Sequence, residues 1–529
     1  DDDDDKNSSS DRTRKNAGFE NMDANYKKAV LNEINAIAKW DTSDTSGTST
    51  PSIGSIGTDK IRLRSIYFGG GTPSLAPLST LKDIMRALLQ GDNAPFYLDL
   101  DDGNNNNDEK STTTTATNEI TIEMDPGTFD LSYLLGIKQM GFNRISLGVQ
   151  SFDDALLATM GRVHRAADVY RSIDMIKQVF GTEEANYSID LISGVPGLTL
   201  AKWTETLCQV GKLRPRPRHL SLYDLQVEKG TTFGKWYKDH DVTTEDDVVI
   251  NNAPPKNSDS TSSSSSSSSH HHRRRPTLPT AEDCAFMYSY ASGYLRSRGY
   301  EHYEISSYAL KTSNDNDNDS INGRPMSHRS KHNQIYWQYD GQWYAIGLGA
   351  TSNVNGVRFA RPRALSDYIS WTEGLVLQQL NDTDPSIPGQ VGGAGDDDGD
   401  VIKNAPPWRS KDTNANDDDY LTEEEETNDN LLDIVMTRLR TSEGLNLDWI
   451  ADHEKYGEKH VDAILRGFEL ALELELGARE EVEATTTATT TTSTRRGKYG
   501  CIRLNDPKGF LFSNNIISNI FVELEDMDS

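Results

Sequence analysis

Tyr67-Phe68-Gly69-Gly70-Gly71-Thr72-Pro73-Ser74-Leu75 is the stretch on which the fold of this chain turns. It follows a short apolar run, Ile61 to Phe68, and leads into an amphipathic pattern near residues 80–89. Three glycines strip every Cβ from a loop at the C-terminal end of a strand, so backbone groups can come within hydrogen-bonding distance of a bound molecule. In α/β proteins ligands bind at that end. No Gly-Lys-Ser/Thr follows, which excludes a Walker loop, and the glycine spacing is not that of a Rossmann turn. Taken alone, the loop reads equally well as a tight turn.

Outward from the loop, strand and helix patterns alternate. Residues 25–39 are helical by pattern, with Ala29, Val30, Ile34 and Ile37 on about one face. Strand 64–68, helix 80–89, strand 119–123, helix 130–140 and strand 144–147 follow, then helix 166–179, strand 187–192, helix 200–213 and strand 219–224. Gly141 ends the helix before it as a C-cap glycine does. Helix 281–298 and strand 300–305 complete the series. Repeated βα units imply a parallel sheet with helices outside, either a barrel or an open doubly wound sheet. About six units are present, which suits a partial barrel and not a complete eight-stranded one. The C-terminal part differs. Helices at 431–440 and 460–476, a hairpin of 501–504 with 509–512, and a helix at 515–522 predict a smaller helical and winged domain.

Runs of Asp, Asn, Ser and Thr interrupt the 529 residues. Those at 1–16, 41–57, 101–117, 251–280, 313–322, 381–426 and 485–496 lack the apolar area that offsets ordering entropy, and read as disordered. The predicted organisation is a disordered segment 1–16, an interrupted barrel over 17–380, an acidic linker over 381–426 and a C-terminal domain over 427–525. The formal charge of -28 comes partly from acidic clusters within these runs, such as Asp1–Asp5 and Glu423–Glu426, and such clusters are solvated tails. The balance argues against nucleic-acid binding, which needs a basic surface. His270–His272 with Arg273–Arg275, beside polyserine, reads as low-complexity sequence. Cys208, Cys284 and Cys501 are odd in number and far apart, so no disulfide framework is expected. No apolar run reaches the ~18 residues of a spanning helix, and no signal peptide is visible.

Barrel chemistry sits at the C-terminal ends of strands, and polar residues fall there. Glu123 and Asp125 precede Pro126-Gly127, Gln150-Ser151 closes a strand, Asp190 lies in Tyr187-Ser-Ile-Asp-Leu-Ile-Ser-Gly-Val-Pro-Gly197, and Tyr223 and Asp224 end the next strand. Singly, each reads as a capping or loop residue. Together with the glycine loop they argue for a pocket. Glu123, Gln150 and Asp190 suit the amino group and hydroxyls of a polar cofactor, and Arg162 suits a carboxylate.

Phe68-Gly-Gly-Gly-Thr-Pro-Ser74, Glu123-Met-Asp-Pro-Gly127, Asn143-Arg-Ile-Ser-Leu-Gly-Val-Gln-Ser-Phe152, Gly161-Arg-Val-His164, Asp190-Leu-Ile-Ser-Gly-Val-Pro-Gly197, His219-Leu-Ser-Leu-Tyr223 and Glu228-Lys-Gly-Thr231 occur in that order. This set resembles the radical S-adenosylmethionine (SAM) proteins of the oxygen-independent coproporphyrinogen oxidase family, over most of the chain outside the insertions. The resemblance implies an α/β fold, a partial (β/α)6 TIM-like barrel, binding S-adenosylmethionine beside a [4Fe-4S] cluster. Carried over by position, Gly70, Gly71 and Thr72 contact the methionine part, and Glu123, Gln150, Arg162 and Asp190 complete the pocket.

One branch of that family oxidatively decarboxylates coproporphyrinogen III to protoporphyrinogen IX. The HemW-type branch is a haem chaperone. His332-Asn-Gln-Ile-Tyr-Trp337, following Tyr303-Glu-Ile-Ser-Ser-Tyr-Ala309, resembles the His-Asn-x-x-Tyr-Trp haem motif of that branch. It implies His332, Asn333, Tyr336 and Trp337 as the haem site. A neutral imidazole can ligate iron, and Tyr336 and Trp337 suit stacking on a porphyrin plane. From the hexamer alone, a loop histidine beside core aromatics is the other reading. Ile346-Gly-Leu-Gly-Ala350 with Ser352 and Arg358-Phe359, and Arg438-Leu-Arg-Thr-Ser-Glu-Gly-Leu445, also fit this branch. The expected function is a haem chaperone that binds haem and S-adenosylmethionine and delivers haem to acceptor proteins. The alternatives are the porphyrinogen oxidase and a cluster-less degenerate scaffold.

The chain departs from the family at Asp125 and Ser307, where Asn is usual. It also lacks the Cys-x-x-x-Cys-x-x-Cys motif that holds the cluster, expected upstream of helix 25–39. Cluster cysteines are therefore expected upstream of residue 1, and the Asp1 start points to a missing N-terminal piece. This polypeptide is not expected to cleave S-adenosylmethionine reductively. The resemblance implies a cytoplasmic location, with mitochondrion or plastid left open by the missing N-terminus.

Overall fold

A computed structural model describes residues 22–37, 60–91, 94–98, 118–182, 185–237, 275–311, 328–383, 423–480 and 498–527. The runs assigned to disorder lie outside the described residues except at 275–280, 381–383 and 423–426. Two of these margins are helical. One helix spans Leu365–Thr383 and another Glu423–Leu439, so Glu423–Glu426 open a helix of the C-terminal domain.

The strands of the first domain are β1 (Ile61–Leu63), β2 (Ser65–Phe68), β3 (Phe96–Leu98), β4 (Glu119–Met124), β5 (Arg144–Gln150), β6 (Tyr187–Ser193), β7 (His219–Asp224), β8 (Tyr300–Glu304) and β9 (Ser307–Leu310). The apolar run 61–68 is thus two strands. β1 pairs in parallel with β3, and past Arg64 β2 pairs in parallel with β4. The main sheet has the order β2-β4-β5-β6-β7-β9-β8. Its first five strands are parallel. The strand predicted at 300–305 as a sixth parallel unit enters differently. The chain turns at Ile305-Ser306, and β9 comes back between β8 and β7, antiparallel to both.

Alternation along these strands decides what faces where. Ile66, Ile120, Ile122, Met124, Ile145, Leu147, Val149, Ile189, Leu191, Leu220 and Leu222 pack in one core with apolar faces of the flanking helices. Those helices include Leu78–Leu89, Leu131–Gln139 and Ala166–Phe180, through Leu81, Leu134 and Ile173. The intervening residues are polar: Ser65 and Tyr67 on β2, Glu119, Thr121 and Glu123 on β4, Arg144 and Ser146 on β5, Ser188 and Asp190 on β6, His219, Ser221 and Tyr223 on β7. The register sets Glu123 beside Ser146, Ser146 beside Ser188, and Asp190 beside Ser221. The helices therefore cover the apolar face, and the polar face lines the inside of the partial barrel.

The helix of residues 22–37 buries Ala29, Val30, Ile34 and Ile37 against Leu88, Phe96, Tyr368 and Trp371 in a second core. The C-terminal domain has its own core, including Val435, Ile464, Phe468, Ile502 and Ile520. Its sheet is antiparallel, with Cys501–Leu504 between Leu445–Asn446 and Gly477–Glu480. The predicted pairing of 501–504 with 509–512 is replaced, because Lys508–Leu511 is a short helix. Pro507 carries no N–H for a ladder, and Gly509 packs so tightly that a Cβ would lie 3.1 Å from the Leu504 Cβ. The two domains share backbone bonds, from Ile305 N–H to the Arg440 carbonyl (3.0 Å) and from Ser442 N–H to the Tyr303 carbonyl (2.9 Å).

Candidate functional site

The glycine loop leaves β2 at the mouth of the polar lumen. Gly70 and Gly71 have φ of 80° and 104°, values that L side chains rarely adopt. The Gly70 N–H donates to Glu123 Oε2 at 3.0 Å, and the Tyr67 hydroxyl donates to Glu123 Oε1 at 2.7 Å. A Cβ at Gly69 would stand 2.8 Å from Glu123 Oε1, so a side chain there would push that carboxylate from its place. The Thr72 hydroxyl donates to Asp125 Oδ2 at 3.4 Å, and Arg162 lies 3.8 Å from the same oxygen. The usual Asn of the family could offer that guanidinium no charge, so Asp125 gives Arg162 an ionic partner inside the pocket wall.

Gln150 is buried at a bulge where the β5–β6 register shifts, with φ of 62°. Gly148 makes room there, as a Cβ would come within 2.6 Å of Asp125 Oδ1 and 3.1 Å of Gln150 Nε2. Asp190 accepts from the Ser146 hydroxyl at 3.1 Å, and Ser146 from Ser188 at 3.0 Å. Burial pushes the Asp190 carboxyl up to about 6, against the pull of hydrogen bonds from Ser221 and Ser146. Partial desolvation, reinforced by Asp190, Glu304 and Glu123, raises the phenol of the half-exposed Tyr223. Thr121 Oγ1 and His219 Nδ1, on the same wall, are buried polar atoms with no protein hydrogen-bond partner. Glu123 and Asp190 thus stand on the polar faces of β4 and β6, with Asp125 just past β4 and Arg162 within ion-pair reach of it.

The hexamer 332–337 lies next to this pocket. Its first five residues belong to the helix Lys331–Tyr336, capped by the Ser330 hydroxyl, which accepts from Asn333 N–H at 3.2 Å. The His332 N–H donates to Glu119 Oε1 at 3.1 Å, and Glu119 also pairs with the buried Arg144 at 3.5 Å. The His332 ring stacks on Tyr67, centroids 4.7 Å apart and planes 14° from parallel. Its Nδ1 is 3.1 Å from the Ser65 hydroxyl and its Nε2 2.9 Å from the Tyr336 hydroxyl. Burial pushes the imidazole down to about 4, against the opposing effect of Glu119, so the ring is neutral at pH 7.

Tyr336 is exposed and meets the edge of Trp343 at 4.7 Å. Trp337 turns elsewhere. With Tyr303, Gln334, Gln338, Arg438 and Glu443 it lines a cavity of about 160 Å³ against the C-terminal domain, and its carbonyl accepts from Arg438 Nη1 at 2.6 Å. Adjacent residues on a helical turn do not face each other, so Tyr336 and Trp337 occupy different surroundings. Sequence reasoning passed over Ser65, Tyr67, Glu119 and Ser146. The available signal was period two, since each lies two or four residues from a residue already singled out or from another of the set.

Among the described residues no group of three or more His, Cys, Asp or Glu could hold a metal ion. Cys208, Cys284 and Cys501 form no disulfide among the described residues. No helix among the described residues is long and apolar enough to cross a membrane.

Residues 55–209 match the radical SAM superfamily. The chain is 31% identical to the "Heme chaperone HemW" of Synechocystis sp., over 88% of this chain and 84% of that protein. It is 28% identical to that of Lactococcus lactis over 58% of this chain, spanning 62% of the relative. The bovine mitochondrial "radical S-adenosyl methionine domain-containing protein 1" is 30% identical over 55% of this chain, and the chain spans 48% of it. Coproporphyrinogen III oxidase (HemN) from Escherichia coli superposes with a TM-score of 0.54 at 17% identity, over 96% of this chain and 83% of that one, a likeness of fold.

Proposed function

We propose that this chain, which belongs to the HemW family of radical SAM proteins, binds haem at His332 and S-adenosylmethionine at the glycine-loop pocket, and passes haem to acceptor proteins. One observation carries the reading. The neutral His332 ring lies on Tyr67, and Tyr67 bonds Glu123, so the two sites adjoin within one barrel.

Haem is cargo here. A neutral imidazole offers an electron pair to iron once the Tyr336 hydroxyl turns from Nε2, while Ser65 keeps the other nitrogen oriented. The cofactor's ammonium suits Glu123, its ribose hydroxyls Asp190 and Gln150, and its carboxylate Arg162. The described residues do not fit a [4Fe-4S] cluster, having no cysteine set for one, and no radical step is assigned to them. Porphyrinogen oxidation has only a likeness of fold behind it.

Haem titration of the full chain should give a Soret band, with affinity reduced roughly tenfold or more by His332→Ala. Unchanged spectrum and affinity in that variant would remove His332 from the site. Calorimetry with S-adenosylmethionine should detect binding that Glu123→Ala abolishes.

A further inference from the structure

We infer that Tyr67 is a positioning residue that couples the cofactor pocket to the haem histidine, so that the state of Glu123 is read at His332. This deepens the function proposed above and rests on it for the identity of the two ligands.

The route is short. Ser65 and Tyr67 are two apart on β2, so they share its polar face, and the His332 ring lies against both. The Tyr67 hydroxyl donates to one oxygen of Glu123, and the backbone of Gly70 donates to the other. Burial, and then Glu123 itself, hold the phenol far above its ordinary range, so it stays protonated and remains a donor. A ligand cation arriving at Glu123 shares a carboxylate already bonded by Tyr67 and the glycine loop. Rotation or partial neutralisation of that carboxylate alters the Tyr67 bond and, through the rigid phenol, the plane on which the imidazole rests. Without haem, Ser65 and Tyr336 engage the two ring nitrogens, and Ser65 keeps its hold on Nδ1 when Tyr336 turns away to admit haem, so the ring stays seated on that plane.

Coupling of this kind is reciprocal, and typical factors are about 5- to 150-fold in affinity. In the wild type, S-adenosylmethionine should change haem affinity by about fivefold or more, and haem should change cofactor affinity by the same factor. Tyr67→Phe keeps the stacked ring and deletes the hydroxyl. It should bring the factor close to one.

A ligand-free readout separates this inference from the haem assignment. In the full chain labelled with 15N-histidine, the His332 ring signals are identified by their loss in His332→Gln. Glu123→Gln should shift them when residue 67 is tyrosine and leave them in place when it is phenylalanine. Equal shifts in both backgrounds, or none in either, overturn the coupling. Absence of haem binding with the signal response intact rejects the haem reading and keeps the coupling. Should Tyr67→Phe fail to fold, 3,5-difluorotyrosine at position 67 offers a stronger donor of nearly the same size. It must then alter the His332 response to Glu123→Gln, and an unaltered response overturns the inference.

Discussion

Glu33 and Arg361 form an ion pair with both side chains at most 2% exposed, Oε1 to Nε 2.8 Å, although 328 residues separate them. Glu33 Oε2 also accepts from the Gly347 N–H at 3.0 Å and the Tyr368 hydroxyl at 2.6 Å. Arg361 donates further to the Ser352 hydroxyl and the Phe359 carbonyl. The motif residues around 346–359 thus fasten the helix of residues 22–37 to the barrel.

Removing one partner leaves a buried charge unpaired. Arg361→Leu or Glu33→Ala should each cost about 3–5 kcal/mol in urea denaturation. The double variant Glu33→Leu/Arg361→Leu should recover much of that loss, because neither charge remains to be desolvated. A loss near zero in both single variants would show that the pair does not hold the helix.

Asp190 gives a pH signature. Its carboxyl titrates at about 6 in the folded protein against 3.8 as the ordinary value, mainly because it is buried. The folded state then holds the proton more tightly, so this contribution to stability is complete below 3.8 and is lost as pH rises through 6. Relative to Asp190→Asn, the wild type should lose on the order of 3 kcal/mol across that window and level off above it. Cofactor affinity should move oppositely, rising as Asp190 acquires charge. Denaturation curves across this range, compared between the two proteins, check the first. A flat difference contradicts the assignment.

Asp506 pins the C-terminal domain. It lies 2.6 Å from His302 Nδ1, accepts from the Ser292 hydroxyl at 2.8 Å and faces Arg296 at 3.3 Å. Burial opposes its charge, yet the His302 hydrogen bond and the neighbouring Arg296 hold it below the usual carboxylate range. That contribution is present above the ordinary carboxyl value and is lost as pH falls through the depressed one. Asp506→Ala should cost about 2–3 kcal/mol and make the C-terminal domain unfold ahead of the barrel in calorimetry. A single unshifted transition would contradict this.

Arg438 clamps the hexamer from the other domain, bonding the Trp337 and Gly444 carbonyls and covering the Tyr339 ring at 4.9 Å. Arg438→Lys keeps the charge and loses the planar fork. We expect haem affinity to fall about three- to tenfold while urea stability changes by no more than about 1 kcal/mol. Equal haem affinity in the variant would confine Arg438 to a structural role.

The succession of βα units was legible because glycine loops and apolar periodicity are local signals. Ala29, Val30, Ile34 and Ile37 could be placed on a buried face for the same reason. Pairing direction is not local. The β8–β9 hairpin has the same residue pattern whether it extends the sheet in parallel or folds back beside β7. β3, at three residues, is too short for a period to emerge. Glu123 and Asp190 were readable from strand ends, whereas Tyr67 acquires meaning only when a hexamer 265 positions further on is laid against its ring. The separation of Tyr336 from Trp337 needed the C-terminal domain in place.

The inward polar face of the barrel has a consequence for its ligand-free state. An apolar chamber left empty carries a penalty of about 20 cal/mol for each Å² of void surface, since its lining has lost its contacts and attracts no solvent. Walls of Ser65, Glu119, Thr121, Arg144, Ser188 and Asp190 can be wetted instead. Loading and unloading then exchange ligand for water within a frame whose apolar packing lies on the other side of the sheet, against the helices. A polar lining therefore costs the ligand-free barrel less than an apolar one of the same area would.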